Sequence, residues 1–446
     1  MLNLTLTPHR EYLSANTPLQ KLFLMLKVQP DRDLASATPD TTVVVVVDTS
    51  GSMRDTVHDS QRGTALSKLD IVIQTLTEMI TTEVLGARDR IALVQFDDQA
   101  TLLLSPTPAS QQTSVIAAIE SLRAYSGGTY MAKGLHQALT TLQNNRSNTN
   151  SCRLLLLTDG ETFDEDDCKA LIGQFSTANL PITALGVGDD FNEDLLNSLS
   201  DAAGGRSFHV VMDQAQGTQV NLRDLPATIR EEFNLAKAEV ITNLALSVKT
   251  VRNVQVTRVM RAYPSYIEVD TQTHPYHLGN ASVQDSPVFI VEFAIENRPE
   301  ARVRLAQIGL SYTIPGKNMT GELPPEDMVV QFIAGEGLAV QVEPEVMHYV
   351  QQCNLDKMVK EAAQVAEADP ARAEQLLENA RRMTQRVGNN LMDASLASAQ
   401  DELRKTQRIS SSTRKTIKMG SKGKTVKMEG DIDDISDDLI QRFTGT

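Results

Sequence analysis

The sequence predicts an α/β protein: a doubly wound, mostly parallel sheet inserted in or followed by an antiparallel β-sandwich, then a small helical unit and a disordered tail. Three observations carry this expectation. Between residues 40 and 236, apolar runs such as "VVVVV", "DRIALVQF", "CRLLLLTD" and "ITALGVG" alternate with helical stretches such as "SKLDIVIQTLTEMITTEVL" and "MAKGLHQALTTL". That is the pattern of buried parallel strands covered by helices on both faces. Between 237 and 340 the helices give way to runs such as "VITNLALSVKT", "SPVFIVEFAIE" and "RVRLAQIGLSYTIP", whose apolar/polar alternation suits strands with one wet face. Helical patterning returns from 342 to 405.

Taken in order, residues 1–38 contain "NLTLT" and "KLFLMLKVQP", strand-like runs too few to form a stable sheet alone. Their nearest partner is the 237–340 sandwich, so they are expected to complete it, with the 40–236 unit lying between the two parts. In 342–405, Pro370 sits where a first helical turn tolerates it, and short connections predict a helical hairpin or three-helix unit. Residues 406–446 have few large apolar side chains and many Ser, Thr, Lys and Asp, a composition that predicts disorder.

With 446 residues the chain is too long for one ordinary core. A net charge of -15 argues against general nucleic-acid or membrane-surface binding, since phosphates would be repelled by most of the surface. Cys152, Cys168 and Cys353 are widely spaced and odd in number, which predicts free thiols in a reducing compartment. The N-terminal stretch has neither the basic nor the apolar region of a signal peptide, and no run approaches about 18 apolar residues. The expected location is the cytoplasm.

Function is expected where "VVVVV" ends in "DTSGSM", because ligands in doubly wound sheets bind beyond the carboxyl ends of the strands. A phosphate-binding loop would need more glycines than this stretch has. An aspartyl-phosphate phosphatase would carry a second carboxylate two residues after Asp48, and that position is Ser50. A site of hard oxygen ligands remains, with Asp48, Ser50 and Ser52 on alternate residues of an extended loop. An N-capped turn fits the same five residues. Two further stretches favour the metal reading: "SGGTYMAKGL" places Thr129 before a helix, and "LLLLTDGET" places Asp159 at the end of a buried strand.

With these residues in order, the segment from about 40 to 236 resembles the von Willebrand factor type A (VWA) domain, whose metal-ion-dependent adhesion site has the pattern Asp-x-Ser-x-Ser, then Thr, then Asp. Asp48, Ser50, Ser52, Thr129 and Asp159 fill the five positions. "DRIALVQFDDQATLLL" looks like the family's central hairpin. The resemblance implies that Ser50 and Ser52 bind a cation directly, Thr129 directly or through water, and the two aspartates often through water; Asp97 and Glu161 lie nearby without being ligands. It implies magnesium, with manganese or calcium as alternates, and a partner protein whose Asp or Glu completes the coordination. The link "RDTVHDSQRGTALS" between Met53 and Lys68 is longer than the family's usual one, so a loop is expected to rim the site.

Other signals are weaker. The "HPYH" spacing at 274–277 has no further metal ligands nearby and reads as a structural turn. No nucleophile elbow or Cys-x-x-Cys pair occurs. The tail repeats a Lys-Thr unit at "RKTQRI", "RKTIKM" and "GKTVKM", placing Thr406, Thr416 and Thr425 equivalently before "EGDIDDISDDL" reverses the charge. A solvated charge run explains this; phosphorylation by a Ser/Thr kinase, read by a phosphothreonine-binding protein, also explains the fixed threonine. The resulting expectation is a bacterial, non-enzymatic, metal-dependent interaction module or scaffold in kinase-linked signalling. The alternatives are a metal-assisted hydrolase or an adaptor of an AAA+ ATPase.

Overall fold

A computed structural model describes residues 2–428, apart from 32, 35–38, 59–64, 83–84, 146–149, 202–203, 213–214 and 335–341. The chain opens with β1 (Leu2–Pro8), β2 (Tyr12–Ser14) and β3 (Leu19–Pro30). The central unit follows as β4 (Asp40–Asp48), β5 (Thr56–His58), β6 (Ala65–Ser67), α1 (Lys68–Thr81), β7 (Arg90–Phe96), β8 (Ala100–Pro108), α2 (Gln112–Ser121) and α3 (Met131–Asn145). It continues through β9 (Asn150–Thr158), α4 (Glu165–Thr177), β10 (Ile182–Val187), α5 (Glu193–Asp201), β11 (Arg206–Val211), β12 (Val220–Asn221) and α6 (Leu225–Lys237). Seven strands then run as β13 (Glu239–Thr250), β14 (Val254–Tyr263), β15 (Ile267–Val269), β16 (Tyr276–Ser282), β17 (Val288–Glu296), β18 (Ala301–Ile314) and β19 (Met319–Ile333). The described chain ends with α7 (Pro344–Val365), α8 (Pro370–Val387), α9 (Asn390–Thr406) and α10 (Ser411–Gly420).

The central sheet has the order β12-β11-β10-β9-β4-β7-β8, parallel throughout except for the β7–β8 pair. Val43, Val45 and Val47 pack into the layer with α1 and α6, whereas Val44 and Val46 pack into the layer with α3, α4 and α5. The five valines are therefore continuous because both faces of β4 are covered, and each buried side chain contributes roughly 1.5–3 kcal/mol. The hairpin expected from "DRIALVQFDDQATLLL" is present as β7–β8, at one edge of the sheet rather than its centre. An antiparallel strand joined by a tight turn adds at the border, and β8 is only partly buried where β4 is sealed.

The sandwich consists of two five-stranded sheets, β1-β3-β17-β14-β15 and β16-β13-β18-β19-β2. β3 pairs antiparallel with β17, matching Leu24 to Val291 and Leu26 to Phe289, while β2 pairs with the end of β19. The chain thus leaves the sandwich after β3, builds the α/β unit and returns at β13. Hydrogen bonds among the described residues help fix that unit on the sandwich: Arg153 Nη2 donates to Glu239 Oε1 at 2.5 Å, Asn179 Nδ2 to Asn280 Oδ1 at 2.7 Å, and Arg261 Nη1 to the Gly204 carbonyl at 3.2 Å. Arg153 lies in the first half of β9, and Asn179 and Gly204 just before the starts of β10 and β11. The carboxyl ends of the parallel strands consequently face away from the sandwich. His274 accepts the Val248 N–H through Nε2 at 3.1 Å, a structural role.

α7 packs Val346, Met347, Tyr349 and Val350 on Phe23, Met25 and Ile290 of the sandwich, and its later turns share a second core with α8 and α9. The predicted disorder of residues 406–446 is corrected for 407–428; residues 429–446 lie outside the described part. Ile417 and Met419 of α10 are buried in two different cores. Around them the basic side chains find acidic partners: Lys415 and Lys418 reach Glu193, Lys418 also reaches Asp194 at 2.6 Å, and Lys422 pairs with Asp201. Beyond the helix, the Val426 N–H donates to Gln352 Oε1 at 2.8 Å. Low apolar content predicted disorder because a local composition cannot register charges supplied by another part of the fold.

Candidate functional site

Asp48 ends β4 fully buried, and the chain then turns sharply. The turn is set by Asp48 itself: its Oδ1 accepts the Ser50 N–H at 2.8 Å, and its Oδ2 accepts the Thr158 hydroxyl at 2.6 Å. Burial pushes the Asp48 carboxyl up to about 6, with the hydrogen bonds from Thr158 and Ser50 pulling the other way. Ser50 Oγ and Ser52 Oγ lie 3.1 Å apart, and Ser52 Oγ donates to Asp159 Oδ1 at 2.8 Å. Gly51 N–H donates to the Gly127 carbonyl at 3.1 Å, tying this turn to the loop that carries Thr129.

Thr129 joins the same cluster. A Cβ built on Gly160 would lie 4.0 Å from both Ser52 Oγ and Thr129 Oγ1, so the two hydroxyls flank one small cradle beside Asp159. The Thr129 carbonyl accepts the Phe163 N–H at 2.9 Å and the Thr162 hydroxyl at 3.0 Å, fixing the two loops together. Asp48, Ser50, Ser52, Thr129 and Asp159 are thus all brought to one edge of the sheet. Only Ser52 is well exposed, which makes it the mouth of the cluster. Among the described residues, no group of three His, Cys, Asp or Glu side chains is placed to hold a metal; here hydroxyls outnumber carboxylates. Three hydroxyls and two carboxylates offer the all-oxygen, weakly charged donor set that a hard divalent cation accepts, so the residues fit such an ion.

Of the neighbours implied by the family pattern, Asp97 accepts the Gln99 N–H through Oδ1 at 3.0 Å, and Glu161 is exposed. The long link after Met53 forms the β5–β6 hairpin, whose 59–64 tip lies outside the described residues. It ends in a capping box in which Ser67 and Asp70 satisfy each other's backbone N–H groups at the start of α1.

Two residues at this edge escaped sequence reasoning. Lys68, the first residue of α1, is buried and donates through Nζ to Asp159 Oδ2 at 2.6 Å. A signal was available, since a cation at a helix N-terminus opposes the helix dipole and needs another reason to be there. Phe163 is 74% exposed beside Tyr130, with ring centroids 5.5 Å apart. Its signal was a lone aromatic in the acidic run "DGETFDEDD".

The tail threonines lie elsewhere. Thr406 is exposed, while Thr416 and Thr425 are buried. Thr416 Oγ1 lies 2.9 Å from His209 Nδ1 and accepts from Gln219 Nε2 at 2.9 Å. Burial lowers the pKa of His209, which favours the neutral ring in this contact.

Comparison with known proteins agrees with the fold. The profile of the von Willebrand factor type A domain matches residues 43–161, and that of the Sll0103-like C-terminal alpha-helical domain matches residues 344–427. Residues 43–161 of the central unit are therefore similar to a VWA domain. An uncharacterised protein of Synechocystis sp. (strain ATCC 27184 / PCC 6803 / Kazusa) is 22% identical over 376 residues, 82% of each chain. Among solved structures, a von Willebrand factor type A protein from Catenulispora acidiphila has a TM-score of 0.75 at 17% identity, covering 95% of this chain and 97% of its own. The ArnB paralog VWA2 from Sulfolobus acidocaldarius has a TM-score of 0.59 at 14% identity, covering 94% and 98%. These two likenesses extend the shared fold over nearly the whole chain.

Proposed function

We propose that this chain is a metal-dependent protein-interaction module. The observation that carries the reading is the meeting of Ser50, Ser52, Thr129, Asp48 and Asp159 on one edge, drawn from three separated stretches of chain. These residues would hold a divalent cation, magnesium first and manganese or calcium as substitutes, which when bound offers a partner's Asp or Glu an oxygen-seeking position. Phe163 supports a protein as the ligand: an exposed aromatic beside a polar site supplies the apolar anchor on which interface energy concentrates. The reading is of a binding module rather than an enzyme: Asp48 accepts from Thr158 and Ser50, and Asp159 from Ser52 and Lys68.

The link to a Ser/Thr kinase pathway rests on the repeated Lys-Thr units. In the docked state Thr406 is the accessible member, and modification of Thr416 or Thr425 requires the tail to leave its seat. Among the described residues no helix is long and apolar enough to cross a membrane.

The reading is tested by affinity purification from the native cell with and without EDTA, beside the double variant Asp48→Ala/Ser50→Ala. A partner lost in both cases, together with loss of manganese binding by calorimetry, is the expected result. A partner that survives both treatments overturns it.

A further inference from the structure

We infer that Lys68 is a tethered cation that competes with the divalent ion for Asp159, so that this site is built to load metal weakly and exchangeably. The inference rests on the proposed metal site and adds a residue outside its five-position pattern. Asp48 and Asp159 are both buried to within 1% of full enclosure, and a buried carboxylate needs a counter-charge. Lys68 supplies it to Asp159. Its side chain is 9% exposed, its Nζ lies 2.6 Å from Asp159 Oδ2, and the other oxygen of that carboxylate holds Ser52 Oγ at 2.8 Å. The carboxylate is thereby shared between an ammonium on one side and a ligand hydroxyl on the other.

The position of Lys68 is not incidental to helix packing. Its backbone N–H donates to the Asp55 carbonyl at 3.3 Å, and the Ser67–Asp70 capping box fixes the turn from which it projects. Asp70 is paired in turn with Arg123, while Arg54 donates to the carbonyls of Arg123 and Tyr125 at 2.8 and 2.9 Å. On its far side, a Cβ built on Gly188 would lie 3.9 Å from Nζ. Gly188 has φ +82, a conformation that favours glycine. Lys68 is therefore held at Asp159 from its backbone outward.

An ammonium and a divalent cation sharing one small oxygen cluster repel each other strongly at low dielectric. Loading the ion thus requires Lys68 to leave Asp159, and releasing it lets Lys68 return and neutralise the carboxylate. Lys68 is a specificity-determining residue in this scheme. It sets the threshold at which the site fills and keeps the unloaded fold from carrying an unpaired buried charge.

The test is titration of the full chain with MnCl2 by calorimetry, comparing wild type with Lys68→Met, which keeps the apolar stem, and Lys68→Arg, which keeps the charge. Lys68→Met is expected to bind Mn2+ at least about 10-fold more tightly, close to 1.4 kcal/mol, whereas Lys68→Arg stays within about threefold of wild type. A merely structural lysine predicts the reverse, because loosening α1 would weaken the site. Equal or weaker Mn2+ binding by Lys68→Met overturns the inference while leaving the metal site intact. No Mn2+ binding by either protein at millimolar concentration removes both readings together. The wild type gives a measurement independent of variant folding: acylation of the Lys68 amine, read by peptide mass spectrometry, rises severalfold when saturating MnCl2 is added. Unchanged acylation in metal-saturated protein overturns displacement.

Discussion

Replacing Glu193 by glutamine should undock the α10 helix. Glu193 sits at the start of α5, its side chain 7% exposed, within reach of three cations: Arg414 Nε at 3.1 Å, Lys418 Nζ at 3.1 Å and Lys415 Nζ at 3.4 Å. Burial alone would raise its carboxyl, but its own backbone N–H and the ammonium groups of Lys418 and Lys415 outweigh burial and hold it at about 2. Against an ordinary value of 4.5, that corresponds to about 3 kcal/mol favouring the charged form in the fold. Because the folded value is depressed, this stabilisation is complete above pH 4.5 and disappears as the pH falls through 2. The part owed to its own backbone N–H stays when α10 leaves, so at pH 7 the variant should lose about 1–2 kcal/mol of docking, roughly a 5–30-fold increase in the open population of residues 411–420. At pH 3 the difference should shrink to under half of that. Amide hydrogen exchange resolved by mass spectrometry reads the effect on 411–420, with tryptic cleavage after Arg414, Lys415 and Lys418 as a second measure. Exchange within threefold of wild type at pH 7, or a difference indifferent to pH, would show that apolar burial of Ile417 and Met419 seats the tail without the charges.

Other consequences can be checked in parallel. At Gly205 a Cβ would meet the Ile182 carbonyl oxygen at 1.9 Å, so Gly205→Ala should cost about 3 kcal/mol or more, read as a lowered urea midpoint. Leu156→Ala, at a fully buried position of β9, should cost about 2–5 kcal/mol in the same assay. Burial, helped by Arg10, lowers the pKa of His9 to about 3 while its Nδ1 accepts the Phe23 N–H at 3.1 Å. Its neutral form therefore stabilises the sandwich fully above pH 6.5, and about 2 kcal/mol should be lost by pH 5. His9→Gln should flatten the stability profile by that amount between pH 7 and 5, and an unchanged slope would contradict the assignment. Phe163→Ala should weaken capture of an EDTA-sensitive partner at least tenfold while leaving Mn2+ binding within twofold, because the ring adjoins the site without donating to it.

Much of this architecture was legible because its signals are local. A period of two read through five valines, with apolar residues on both faces, marks a doubly covered strand, and β4 buries both sets. The positions of the five proposed ligands were also readable, since each lies at a strand end or in a loop before a helix that its own stretch defines. The edge position of the β7–β8 hairpin was not, because strand order follows from how separated segments pair and not from either strand's composition.

By itself, then, the sequence determined the α/β unit, the strand runs on either side of it, and the hydroxyl-rich turn after Asp48. Tertiary structure decided three other things: that Lys68 meets Asp159 from 91 residues away, that Lys415 meets Glu193 from 222 residues away, and that Phe163 stands exposed above the site. The physical reason is common to the two ion pairs. A charge in a local window looks solvated until the fold supplies its counter-charge, and only the packed chain shows which charges have been taken out of water.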